Sequence, residues 1–482
     1  MSKVRRSLLL SFAEKYSAFI AQFVATLFVA RLLTPTEIGI YSVAVVMVGL
    51  AHTVRDFGVG QYLVQERELD PAKVRAAFGV AIAVAWGMAL ALFAASYPAA
   101  AFYGEAGVGE AMRVLVLNFI LLPFATVSLA LWRREMNFGP PYVIKTTGAV
   151  VSAVVVVLLA YLGVGYLSMA WAAVAGISAN VLLATWMRPA GMPWLPSLRG
   201  SGAVVSWGGL ASGAVVLKEI ATAAPDLIVG RVLGMRDVGM LGRAMGLINV
   251  FERFFSSAVK GIILPHFAEV QRGGRDLRDS YLRTLALTCG VAWPFFAFVA
   301  VMASPIIRVL YGDQWGEAVP LTQVLCAYGA IRMLAYFADH TLLAVGLAKR
   351  NLVVEAMTLA AVAAAVLLAS PYGLRAVTLG LLAASVIGTV VSYRFLRSAG
   401  VVTLTETLRA SAGSLGLAAA TAAGPLALMA LHPLPGGPVT LLAAGCALGA
   451  AGWGGALWAI RHPLRAEVAT YTGRALAHLR RK

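Results

Sequence analysis

The chain has 482 residues, of which 60% are hydrophobic and 13% charged, and its mean hydropathy is +0.81. Ordinary soluble domains are about 45–50% apolar, so this composition excludes a soluble globular protein. The net charge of +17 would suggest nucleic-acid binding in a soluble domain. In a membrane protein, however, basic residues mark the cytoplasmic connections, and we expect no nucleic-acid partner.

Apolar windows separated by glycine, proline and charged residues predict fourteen membrane-spanning helices. In chain order they lie at 9–32, 38–60, 76–97, 111–132, 142–162, 166–187, 204–231, 238–262, 284–303, 317–345, 351–370, 374–396, 410–431 and 438–460. The connections that remain are short. We therefore expect an all-α integral membrane protein without a large extramembrane domain.

Arginine and lysine are concentrated in alternate connections, on the side that also holds both ends of the chain. Because cytoplasmic connections carry the excess of basic residues, this asymmetry predicts that both termini are cytoplasmic. The basic tail that begins at Arg461 is interpreted as a topology anchor near anionic lipid.

The sequence of the first outer connection recurs 200 residues later. Residues 29–44 align with residues 229–244, with identities at Val, Arg, Leu, Gly and Ala, and Glu37 matches Asp237. Six spans return the chain to its starting side, so two six-helix repeats would be related by an axis along the membrane normal. The predicted domains are 1–200 (spans 1–6), 201–400 (spans 7–12) and 401–482 (spans 13 and 14 with the basic tail). Transporters built from repeats bind substrate where the repeats meet, which predicts an alternating-access carrier.

Ionisable side chains inside the predicted spans are the candidate functional residues, because a charge at a helix centre costs about 2.5–3.5 kcal/mol unless it faces a cavity or a partner. The candidate substrate-binding cations are Lys15, Arg55, Lys218, Arg243, Arg253 and Arg332. The candidate ion-coupling carboxylates are Glu14, Asp56 and Glu219, each adjacent in sequence to one of these cations. Adjacent residues on a helix do not face each other, so their partners lie on other helices or on a substrate. Pairing between helices, with a purely structural role, is the alternative for each.

Motifs for catalysis and cofactor binding are missing from the sequence. It has no P-loop and no HExxH motif, its six histidines are scattered singly, and its three cysteines lie in apolar runs. We expect no cofactor, no metal and no enzymatic activity. A membrane glycosyl transferase or polymerase would also need a large outer loop, and the predicted outer connections are short.

Several strings resemble one known family. They are residues 30–65, with Gly39, Tyr41 and the run 56–60, and in the second half residues 239–244 and 310–315. They resemble Wzx-type polysaccharide flippases of the multidrug/oligosaccharidyl-lipid/polysaccharide (MOP) exporter superfamily. The resemblance implies two six-helix bundles that form a V-shaped cleft in the bacterial inner membrane. It also implies a cargo, an undecaprenyl-diphosphate-linked oligosaccharide flipped to the outer leaflet for lipopolysaccharide or exopolysaccharide synthesis.

The resemblance further implies that membrane lipids, a polysaccharide polymerase and chain-length machinery are partners. Lysine and arginine would bind the diphosphate, and Trp171, Trp207 or Tyr336 are candidates to stack on sugar, with core or interfacial packing as the favoured alternative for each ring. Spans 13 and 14 would form a groove for the lipid tail. A cation-coupled multidrug antiporter of the same superfamily is the alternative, and it would centre on a buried carboxylate. The surplus of cations within the spans favours the anionic cargo.

Overall fold

A computed structural model describes residues 3–55, 59–189, 191–193, 195–202, 213–274, 276–430 and 437–470. Within these ranges the chain is helical and has no β-strand. Contacts between helices divide the chain into two compact units, Met1–Gly239 and Met240–Lys482. The domain boundaries at residues 200 and 400 rest on the internal repeat and stay a prediction.

The N-terminal unit is a bundle of helices joined by short connections. Its helices are α1 (Lys3–Leu32), α2 (Pro35–Arg55), α3 (Val59–Gln65), α4 (Pro71–Tyr103), α5 (Ala106–Leu121), α6 (Pro123–Arg134), α7 (Gly139–Tyr161), α8 (Leu167–Met187), α9 (Gly213–Val232) and the beginning of α10 (Met235–Arg272). Within it α7 packs on α1 and α8, α4 on α5, and α9 on α2.

The C-terminal unit continues from α10. Its helices are α11 (Leu277–Val301), α12 (Ala303–Leu310), α13 (Ala318–Leu334), α14 (Ala338–Ala344), α15 (Ala348–Ala369), α16 (Leu374–Ser398), α17 (Leu404–Ala430) and α18 (Gly437–Ala459), with 3₁₀ turns at Asp313–Trp315 and Ser370–Tyr372. Helix α11 packs on α17 and α13, α15 on α16, and α17 on α18.

Each of the fourteen predicted spans coincides with a helix or with two consecutive helices. Within the described residues, ten spans are long and apolar enough to cross a membrane, and α5 and α6 make an eleventh if they are one span bent by 47°. The predicted spans that do not pass correspond to α1, α9 and α10. The apolar stretch of α1, Tyr16–Leu32, is too short, whereas α9 and α10 carry Lys218 and Arg243, whose charges lower the hydropathy. Residues 204–212 of the predicted seventh span lie outside the described chain. The all-α membrane fold is confirmed, and the count of fourteen stays a prediction.

The connection between α3 and α4 is built from specific polar contacts. The Asp70 side chain accepts a hydrogen bond from the Lys73 backbone N–H (2.6 Å), which caps α4 at its first turn. The Arg134 guanidinium donates to the backbone carbonyls of Leu63 (3.0 Å), Glu66 and Arg67 (3.2 Å). Arg134 therefore satisfies carbonyls that the end of α3 leaves without helical partners.

The chain beyond α18 folds back onto α11 and α17 through His462, which is 3% exposed. The Leu464 backbone N–H donates to His462 Nδ1 (3.3 Å), so Nε2 carries the proton and donates to Ser414 Oγ (3.1 Å). A Cβ added to Gly290 on α11 would lie 2.6 Å from His462 Cε1, so glycine leaves the space that the imidazole fills. Burial lowers the pKa of His462 below its usual value of 6.5.

Candidate functional site

The two copies of the repeated motif touch each other within the N-terminal unit. A Cβ added to Gly39 on α2 would lie 1.7 Å from the Met235 carbonyl oxygen, and a Cβ added to Gly239 would lie 2.0 Å from the Pro35 carbonyl oxygen. Positions 35 and 39 match positions 235 and 239 at the offset of 200 residues, so the contact is reciprocal. Reciprocal contacts are typical of segments related by a two-fold axis. The contact supports the predicted repeat, while superposition of the two halves stays a prediction.

Glu37 stabilises the first of these motifs. Its carboxylate accepts hydrogen bonds from the Thr34 backbone N–H and hydroxyl, both at 2.8 Å, and the Glu37 N–H donates to the Thr34 hydroxyl (3.3 Å). This reciprocal arrangement is a capping box at the start of α2. It fixes the helix beginning from which Gly39 approaches Met235.

Two candidate residues of the N-terminal unit have definite partners. Glu14 lies 3.1 Å from Lys145 Nζ on α7, so its charge is balanced by a lysine on another helix. This agrees with the expectation that Glu14 and Lys15, which are adjacent in sequence, do not face each other. The Arg55 guanidinium lies 5.6 Å from the centre of the Phe119 ring. The side chain of Lys15, and the whole of Asp56 and Trp207, lie outside the described residues.

Helix α9 is buried towards its C-terminal end and exposed towards its N-terminal end. Val229 and Gly230 are buried, and a Cβ on Gly230 would lie 3.0 Å from Val43 Cγ2 on α2. Lys218 and Glu219 are exposed on this unit. Charged residues on a membrane helix are costly against lipid, which favours a polar or water-filled environment for this end of α9. Binding of substrate by Lys218 and ion coupling by Glu219 stay predictions.

Arg243 lies among aromatic side chains of the C-terminal unit. Its guanidinium carbon is 5.3 Å from the centre of the Tyr311 ring and 5.1 Å from that of Trp315. Trp315 is fully buried. The cation therefore holds the connection after α12 against α10, an interaction worth about 0.5–2 kcal/mol per ring. This contact favours a structural role for Arg243, and its predicted role in substrate binding stays untested.

Arg332 on α13 has an acidic partner 80 residues earlier in the chain. Its Nη1 lies 3.2 Å from Glu252 Oε1 on α10 and donates a hydrogen bond to Tyr328 Oη (3.0 Å). The Arg332 side chain is nevertheless 42% exposed. Arg253, the next residue on α10, is exposed too. Sequence spacing gave no signal for the pairing with Glu252.

Aromatic rings line the same part of the C-terminal unit. The Phe255 ring stacks on Phe251 with centroids 5.7 Å apart and meets Tyr336 edge to face at 5.4 Å. Tyr336 lies in the break between α13 and α14, where the Leu334 carbonyl accepts a hydrogen bond from Tyr393 Oη (2.6 Å). The break is thus stabilised by a side chain, and the Tyr336 ring within it contacts Phe255 of α10.

An apolar cavity of about 350 Å³ lies between α11, α17 and α18. Its lining includes Phe295, Phe298, Cys446 and Trp453. Helices α17 and α18 correspond to the predicted spans 13 and 14, whose groove for a lipid tail stays a prediction. Among the described residues, no group of three or more His, Cys, Asp or Glu side chains is placed to hold a metal ion.

The fold and these sites define a class, a polytopic helical membrane protein with charged groups inside its spans. The family model for polysaccharide biosynthesis proteins matches residues 28–320, more than half of the chain. The chain belongs to this family of polysaccharide biosynthesis proteins.

Two relatives have names that describe their roles. The chain is 26% identical over 326 residues to the succinoglycan biosynthesis transport protein ExoT of Rhizobium meliloti strain 1021, covering 67% of this chain and 65% of ExoT. It is 21% identical over 371 residues to the lipopolysaccharide biosynthesis protein WzxC of Escherichia coli strain K12, covering 76% of this chain and 75% of WzxC. The chain therefore spans just under two thirds of ExoT and three quarters of WzxC.

Solved structures show the same fold at low sequence identity. The inward closed conformation of the lipid II flippase MurJ matches with a TM-score of 0.71 and 14% identity over 92% of this chain and 98% of that chain. An inward-facing MATE family multidrug resistance transporter of the MOP superfamily matches with a TM-score of 0.59 and 14% identity, over 82% and 94% of the chains. The predicted family and MOP-type fold are confirmed.

Proposed function

We propose that the protein moves an undecaprenyl-diphosphate-linked oligosaccharide from the inner to the outer leaflet for cell-surface polysaccharide synthesis. The observation that carries the proposal is the family match over residues 28–320, together with relatives named for succinoglycan transport and lipopolysaccharide synthesis. Alternating access is the proposed mechanism, because the fold is shared with MurJ and MATE transporters.

The chemistry of the cargo agrees with the charged groups described above. A diphosphate cannot cross hydrocarbon without compensating charge, and arginine and lysine bind phosphate oxygens through charge-assisted hydrogen bonds. Arg332 and Lys218 are exposed on their own units and can offer such contacts. Glu219 remains the exposed candidate for ion coupling, whereas Glu14 is paired with Lys145. Carriage of this cargo makes and breaks no covalent bond, so the protein would not be an enzyme.

The proposed location is the bacterial inner membrane, with both termini in the cytoplasm. Reporter fusions after Arg188 and at Lys482 would then read as cytoplasmic, and a fusion after Pro435 as periplasmic. A polymerase and chain-length machinery at the outer face are proposed partners, because flipped repeat units must be consumed there.

The test of function is deletion of the gene in its host, followed by quantification of lipid-linked glycan and surface polysaccharide. Loss of surface polysaccharide, with accumulation of a lipid-linked precursor facing the cytoplasm, is expected and should be reversed by the wild-type gene. Normal polysaccharide export in the deletion strain would refute the proposal. Increased drug sensitivity with unchanged polysaccharide would instead favour the multidrug antiporter.

Single substitutions test the proposed binding cations. Lys218→Met and Arg253→Met should lower polysaccharide export while the amount of folded protein in the membrane stays normal. Each charge-assisted contact is worth about 1.5–3 kcal/mol, or roughly 10- to 100-fold in affinity. Arg350→Met is the matched control, because Arg350 lies in the first turn of α15 and donates to Ser398 Oγ (3.1 Å) at the end of α16. Normal export in both test variants would remove these residues from the site.

A further inference from the structure

The Glu252 and Arg332 pair is held by charge and not by a hydrogen bond. Glu252 Oε1 lies 3.2 Å from Arg332 Nη1, but it is buried and accepts no hydrogen bond from any described residue. Arg332 Nη1 instead donates to Tyr328 Oη (3.0 Å), and the guanidinium carbon lies 5.3 Å from the centre of the Tyr328 ring. Tyrosine therefore fixes the position of the guanidinium, and the carboxylate supplies only its opposite charge.

The guanidinium keeps donors available for a ligand. Arginine has five N–H donors in a planar fork, and the Arg332 side chain is 42% exposed while that of Glu252 is 24% exposed. The Arg332 guanidinium is thus held in position and partly accessible, and the nearby Glu252 Oε1 accepts no hydrogen bond from it.

Such a pair suits a site that must be neutral when empty. An uncompensated arginine inside a membrane is costly, so a nearby carboxylate stabilises the unloaded state. A diphosphate carries more negative charge than one carboxylate and can accept two parallel hydrogen bonds from a guanidinium, so it competes well for Arg332. A ligand with a single phosphate competes less well.

We propose that Glu252 is an internal counter-anion that neutralises Arg332 in the empty carrier and yields it to the diphosphate of the cargo. This inference rests on the proposed function. Re-formation of the pair opposes the bound diphosphate and so assists its release.

The test is equilibrium binding of geranyl diphosphate and geranyl monophosphate to the purified full-length protein in nanodiscs. Glu252→Gln should tighten diphosphate binding about two- to fivefold, the range expected for removal of a partly exposed competing charge. Monophosphate binding should tighten by the same or a smaller factor, because both ligands displace the same carboxylate and the carboxylate repels the less negative ligand less. Glu66→Gln is the matched control, because Glu66 pairs with Lys73 Nζ (2.7 Å) in the connection before α4.

A double-mutant cycle connects the effect to Arg332. Arg332→Gln should weaken diphosphate binding, and adding Glu252→Gln to it should give no gain, because the competitor then has nothing to compete for. Glu252→Asp retracts the charge by one methylene and should give an intermediate affinity, which provides a second variant if Glu252→Gln fails to fold. Thermal denaturation of each variant confirms folding.

The outcomes separate the inference from the function on which it rests. Wild-type binding of diphosphate with no tightening in folded Glu252→Gln or Glu252→Asp would overturn the role of Glu252 and leave the flippase proposal standing. Failure of the wild-type protein to bind geranyl diphosphate, together with normal polysaccharide in the deletion strain, would overturn both.

Discussion

Replacement of Gly39 by alanine should destabilise the protein through a steric clash with backbone. The new Cβ would lie 1.7 Å from the Met235 carbonyl oxygen, and Gly239→Ala would place a Cβ 2.0 Å from the Pro35 carbonyl oxygen. A carbon and a carbonyl oxygen approach to about 3.3 Å at closest. The two helix beginnings would therefore have to separate by about 1.5 Å, and no flexible side chain can absorb the displacement.

The expected cost is near the upper end of that for overpacking, about 3 kcal/mol. In a unit of this size that corresponds to a fall of about 6–12 °C in the midpoint of thermal denaturation. The double variant should cost less than the sum of the single variants, because separation of the helices for one methyl group also makes room for the other.

The assay is thermal denaturation of the detergent-solubilised protein, followed by fluorescence-detected size-exclusion chromatography. Gly49→Ala on α2 and Gly242→Ala on α10 are matched controls, since a Cβ at either position has no neighbour within 4 Å. In these controls alanine should be neutral or stabilise the helix by about 0.5–1 kcal/mol. Equal midpoints for Gly39→Ala and Gly49→Ala would refute the proposed backbone contact.

Three further predictions concern single side chains. Burial lowers the pKa of His462 below 6.5, so its contribution to stability is present above pH 6.5 and is lost as the pH falls through the lowered pKa. His462→Gln should therefore flatten the fall in denaturation midpoint between pH 7.5 and 5, and an unchanged slope would contradict this. Arg134→Met should leave the carbonyls at the end of α3 without their donor and destabilise the connection by about 1–3 kcal/mol. Limited proteolysis at Arg67 should then become faster, and proteolysis at the wild-type rate would show that the Arg134 cap contributes little. Arg243→Gln should lower the amount of folded protein in the membrane, as should Trp315→Ala, and normal abundance of both variants would contradict the structural role of the stack.

The helices could be predicted from the sequence because long apolar runs have few alternatives in a membrane, but their ends and breaks could not. Helix α4 extends beyond the predicted 76–97 because its cap, Asp70, and its terminating Gly104, with φ of 65°, lie outside the apolar window. The bend between α5 and α6 falls at Pro123, inside an uninterrupted apolar stretch. Hydropathy averages over such a stretch and cannot show where the chain changes direction.

The candidate site was predictable in residue type and not in pairing. A cation inside a predicted span is visible in the sequence, and this identifies Arg243 and Arg332 as candidates. Their partners depend on which helices pack together, which the sequence does not show. Arg243 and Arg332 look alike in the sequence but have different surroundings in the fold. Arg243 lies among buried aromatic rings, whereas Arg332 keeps 42% of its side chain exposed beside a carboxylate. Burial and partner, not charge alone, distinguish a cation that holds the fold from one that can receive a ligand.

The helices that are least suited to lipid carry most of the candidate cations. Helices α1, α9 and α10 fall outside the set that is apolar enough to span a membrane alone, and they contain Lys15, Lys218, Arg243 and Arg253. A helix with charged residues at membrane depth is stable only where other helices or water cover its polar side. The carrier proposed here needs such helices, because a diphosphate must meet fixed cations along a path that lipid does not reach. We therefore propose that Lys218 on α9 and Arg253 on α10 serve the cargo, whereas Arg243, which lies among buried aromatic rings, holds the fold.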